Sequence, residues 1–113
     1  MQGDRWRNVP DPLPIPDGLV HLQRRRIAAE TAVAAYITEM EARRREEYPA
    51  PEQSLERGTW SADESAELAR LRTARDRLGR EVRQHPVMVQ AREEGTFWPT
   101  WDALQGAVRQ QAE

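Results

Sequence analysis

The sequence predicts an all-α protein: a long antiparallel two-helix hairpin with two short C-terminal helices packed on its open end. Three observations predict it. Two long segments carry apolar residues at alternating spacings of three and four, the signature of a helix with one buried stripe. Prolines and one glycine fall between the periodic segments, where they stop helices. Charged residues make up 32% of the chain, a share that suits exposed helices better than a thick globule.

The clearest element runs from Trp60 to Pro86, with a helix expected over 62–84. Ser61 and Glu64 form the S-x-x-E capping box, in which each side chain satisfies the other's free backbone N–H. Asp63 and Glu64 place negative charge at the positive end of the helix dipole. Leu68, Leu71, Leu78 and Val82 make the stripe, with Arg75 in the remaining slot. Pro86 ends the element because it lacks a donor and disfavours the α region at His85.

Ahead of it, residues 1–16 hold Pro10, Pro12, Pro14 and Pro16, an alternation that favours an extended, polyproline-like arm. Residues 17–113 form the single helical domain. Asp17 is the expected N-cap of a helix over 18–47, whose stripe reads Leu19, Leu22, Arg26, Ala29, Val33, Tyr36, Met40. Arg43, Arg44 and Arg45 lie where cations suit the dipole, and Glu39 and Glu41 pair with Arg43 and Arg45 across one turn. This run reads as a solvated face. The linker 48–60 has room for a single helical turn and reverses the chain, so Met40 comes near the start of the second helix and Leu19 or Leu22 near Val82. A short helix over 86–94 has Pro86 at its first position and Gly95 at C′. Thr96 to Pro99 reads as an aromatic turn before a last helix over 100–111, with Trp101, Leu104 and Val108 on one face.

Composition narrows the function. The chain has 113 residues, enough for one small domain with limited core. A net charge of −2 argues against binding nucleic acid by bulk electrostatics. The absence of cysteine removes disulfides, thiolate metal sites and a cysteine nucleophile. All 17 basic residues are arginine, which GC-rich coding explains, or a requirement for planar bidentate partners. No apolar run reaches the ~18 residues of a membrane span, and no signal-peptide core is present, so the expected location is cytoplasmic.

Catalytic chemistry finds little to use. His21 and His85 are the only histidines, and neither has a glutamate three residues before it, as a di-metal helical bundle requires. No nucleophile elbow, P-loop or dinucleotide fingerprint occurs. We therefore expect no enzyme, no cofactor and no metal site, but a helical protein–protein interaction module or regulatory adaptor that pairs with itself or another helical protein. Its partner-binding candidates are Arg26 and Arg75, charges in apolar seams, and Trp98 in the aromatic turn. For Arg75, Asp76 is expected to face elsewhere and Gly79 to leave room for a partner. The alternative is a small nucleic-acid-associated regulator. Between Arg70 and Arg83 six arginines, Arg70, Arg77, Arg80 and Arg83 among them, face only Asp76 and Glu81.

In size and hairpin plan the chain resembles the secreted WXG-type helical-hairpin proteins of actinobacteria, a resemblance that implies dimers and a dedicated secretion route. It departs from them in reading Gly58-Thr59-Trp60, the reverse order, and in lacking their terminal tyrosine–acid signal. Over residues 17–105, the lysine-free helices and the HPVM…EGTFW tail resemble small uncharacterised actinobacterial proteins, which implies no particular activity.

Overall fold

The computed structural model describes residues 10–111, and among them no strand occurs. Five α-helices follow in order: α1 (Asp17–Glu47), α2 (Ser54–Gly58), α3 (Ala62–Arg83), α4 (Pro86–Glu93) and α5 (Phe97–Gln111), with a 3-10 turn at Pro51–Gln53. The long first helix packs on a later one, α3. Two compact units emerge. One joins the chain up to Arg26 with the chain from Leu78 onward, and the other is Ile27–Arg77.

Most helix ends obey local rules. At the start of α3, Ser61 N–H donates to Glu64 Oε1 at 2.8 Å and Glu64 N–H to Ser61 Oγ at 3.1 Å, the reciprocal capping box. α4 closes in a Schellman motif: Thr96 N–H reaches Ala91 O at 2.8 Å and Gly95 N–H reaches Arg92 O at 3.3 Å. Gly95 takes φ +73°, the left-handed conformation that costs a side chain.

Two ends differ from the expectation. Asp17 lies inside α1, because the Pro16 carbonyl accepts from Leu19 N–H and Val20 N–H at 3.0 and 3.2 Å and so begins the helix. The expected turn at Thr96–Pro99 is instead the first turn of α5, where Thr100 N–H bonds to Thr96 O at 3.0 Å. Pro99 is tolerated there because first-turn nitrogens have no intrahelical acceptor to lose.

The unit built from both chain ends has a genuine core. Leu19, Val20, Val82, Met88 and Leu104 bury together, and Ile15, Leu22, Val87, Phe97, Trp101 and Val108 pack against them. The described part of the N-terminal arm belongs to this unit, since Leu13 N–H donates to Thr100 Oγ1 at 3.1 Å. The first nine residues of the expected arm lie outside the described residues.

In the other unit Val33 and Met40 are the only buried apolar residues. Polar and aromatic contacts hold it. Tyr36 meets Trp60 edge-on with centroids 5.9 Å apart, and its hydroxyl donates to Glu64 O at 3.4 Å. The linker is tied by Arg57, whose Nη1 donates to Tyr48 O at 2.7 Å and Ala50 O at 2.6 Å.

Candidate interaction surface

Of the partner-binding candidates, Trp98 is the one the fold presents openly. It is 70% exposed, although it is a first-turn residue of a helix whose Leu104 is fully buried. Phe97 holds it edge-on at 5.0 Å and stacks on Trp101 at 6.1 Å, and the Arg92 guanidinium lies 5.9 Å from the Phe97 centroid. Such a ladder fixes a large ring at low entropic cost.

Arg26 and Arg75 occupy different settings. Arg26 is half-buried and its Nε donates to Gln23 Oε1 at 2.8 Å, so the seam charge is engaged within its own unit. Gln23, fully buried, passes the bond on through Nε2 to Gln105 Oε1 at 3.2 Å. Two premises for Arg75 change. Asp76 does not face elsewhere: its Oδ1 accepts from Arg75 Nε at 3.0 Å. The space beside Gly79 is not open either, because Arg83 Nη1 lies 3.2 Å and Arg26 Cδ 4.0 Å from where a Cβ would stand.

The basic row on α3 is uneven. Arg70 grips Glu67 with two bonds, Nε at 2.9 Å and Nη2 at 2.6 Å. That hydrogen bond holds the Glu67 carboxyl below its ordinary range and raises the guanidinium of Arg70. Arg77, Arg80 and Arg83 are exposed. Only part of the row thus offers charge to a phosphate.

Sequence reasoning missed Arg44. Grouped with its neighbours as a solvated run, it is instead largely buried and forms an ion pair with Glu64, while Nε donates to Thr59 O at 3.1 Å and Nη1 reaches Glu47 at 3.2 Å. One guanidinium thus clamps α1, the linker end and the capping box of α3. By contrast Glu39–Arg43 pairs at 2.7 Å on the surface as expected, whereas Glu41 and Arg45 form no such pair.

His85 caps α4 by accepting from Val87 N–H at its Nδ1, 3.1 Å away, and His21 is exposed. Among the described residues no group of three or more His, Cys, Asp or Glu is placed to hold a metal, and no helix is long and apolar enough to cross a membrane. No protein-family model matches the chain, and no curated protein or solved structure matches it.

Proposed function

We propose that the chain is a non-enzymatic helical interaction module or regulatory adaptor, cytoplasmic, acting through helix–helix contacts with a second copy or another helical protein. The observation that carries this reading is the unit Ile27–Arg77, where two buried apolar side chains, Val33 and Met40, serve the middle of two long helices. Helices of this length and polarity draw most of their stability from packing, so a face left bare invites a partner. The reading takes α1 and α3 as antiparallel arms of a coiled-coil-like hairpin. In one unit Arg44, late in α1, meets Glu64, early in α3. In the other, Leu19, early in α1, shares a core with Val82, late in α3. Trp98 supplies an anchor of the residue type that dominates binding energy. Arg26 and Arg75, engaged by Gln23 and Asp76, carry less of the argument. The resemblance to actinobacterial helical-hairpin proteins fits the same plan.

Mass in solution over a concentration series, with a pull-down on the purified chain, tests this reading. A strict monomer that retains no partner would defeat it. The second reading, nucleic-acid association, rests on exposed Arg77, Arg80 and Arg83. Binding that strengthens steeply as salt falls would favour it, and no binding at low salt would remove it.

A further inference from the structure

The first turns of α5 send two kinds of side chain in opposite directions. Thr100 and Leu104 are fully buried, which turns Trp98 and Asp102 to the solvent side of the helix. These two stand at i and i+4, so they are neighbours on one face. Trp98 is 70% exposed, and among the described residues its ring meets one other, Phe97, edge-on at 5.0 Å. An indole face is thus open beside an exposed carboxylate.

Both groups lack the cation their chemistry calls for. Asp102 forms no ion pair among the described residues. Arg109, further along the same face, rests instead by Gly106, with Nη2 3.9 Å from where a Cβ would stand. The neighbouring ring shows what is missing: Arg92 lies over Phe97 at 5.9 Å, whereas no guanidinium of the described residues lies over Trp98. Arg92 is also held by its own unit, since its Nη2 donates to Arg83 O at 2.6 Å. It is the one basic residue between Pro86 and Val108, against Glu93, Glu94 and Asp102, so this stretch is negative. An open indole face attracts a cation, and a carboxylate beside it accepts that cation's N–H groups. A planar guanidinium does both at once, its face on the ring and its edge toward the carboxylate. An ammonium is a compact, strongly hydrated charge with no face to stack.

We propose that Trp98 and Asp102 form a seat for an arginine side chain presented by a partner protein. This rests on the interaction-module reading and names the chemistry that the partner must carry. The seat stands on a helix whose inner side is already packed by Thr100 and Leu104, so it is preorganised and its two residues are free of any duty in the core.

The test uses N-acetyl-arginine methylamide as the probe, with the corresponding lysine compound beside it. Each is titrated into the full chain at low salt and followed by proton–nitrogen NMR. The indole N–H of Trp98 and the backbone amide of Asp102 are expected to shift together and to saturate, with the arginine probe bound at least about threefold more tightly than the lysine probe. Asp102→Asn and Trp98→Ala, the latter read at the Asp102 amide, are each expected to weaken the arginine probe about threefold or more with helix content retained. No saturable shift at Trp98, equal binding of the lysine probe, or binding untouched by Asp102→Asn overturns the proposal. The module reading fails separately, by a strict monomer that retains no partner. A partner complex indifferent to both substitutions overturns this seat and leaves the module reading standing.

Discussion

The two units of this chain hold the same pair of long helices by different means. In the unit made from both chain ends, α4, α5 and the Pro-rich arm close around Leu19, Val82, Met88 and Leu104, so apolar burial does the holding. In Ile27–Arg77 there is no third layer of comparable size. The helix pair depends on Val33, Met40, the Tyr36–Trp60 contact and the Arg44 clamp. The difference teaches where function can sit. A unit with its own core needs nothing further, whereas a helix pair with little core is stable only marginally until another surface covers it.

The strongest way to break the comparison is to empty the better core. Leu104→Ala should cost about 2–5 kcal/mol, since the side chain is fully buried, and should lower the thermal midpoint well beyond any single change in Ile27–Arg77. Arg44→Leu attacks the polar counterpart. It strips the Glu64 carboxylate of its cation, leaving it the Ser61 N–H alone, and takes the side-chain donor from the Thr59 carbonyl, and we expect a loss of about 1–3 kcal/mol by chemical denaturation. If Arg44→Leu proved neutral, the clamp would not be what holds this unit. Ser61→Ala should cost about 1 kcal/mol by removing one half of the capping box, readable as a small drop in the melting temperature. Trp98→Ala should leave stability within about 0.5 kcal/mol, because the ring is exposed, while weakening any complex it anchors.

The smallest effect is electrostatic. Because Arg70 depresses the Glu67 carboxyl, the pair supports the fold above the unfolded carboxylate pKa, and that support is lost as pH falls through the lowered folded value. Both groups sit in solvent, so Glu67→Gln should barely change the acid limb of the stability curve.

The legibility of the sequence follows the range of each interaction. The capping box at Ser61 and Glu64, the stop at Gly95 and Pro86 as a first helical residue were all readable, because each is decided within six residues. Pro99 misled for a related reason: a proline in a first turn and a proline that ends a helix look alike without knowledge of where the helix begins. Arg44 was hidden by a sufficient local explanation, the dipole at a helix end, while its true partner lay 20 residues away. Gln23 was further out of reach. A buried glutamine is costly unless paired, and its partner Gln105 is 82 positions along the chain. The aromatic ladder at Phe97, Trp98 and Trp101 was visible as composition, but which ring stays exposed is a property of packing.

Hydrogen exchange of the purified full chain, followed residue by residue at low and high concentration, tests the central claim most directly. The account predicts that in dilute solution the helical amides of Ile27–Arg77 exchange much faster than those of α4, α5 and the first turns of α1. It also predicts that those amides gain protection as a second copy or another partner is supplied. Equal protection of the two units in dilute solution, unchanged by concentration or partner, would show that the helix pair is complete in itself and would contradict the account.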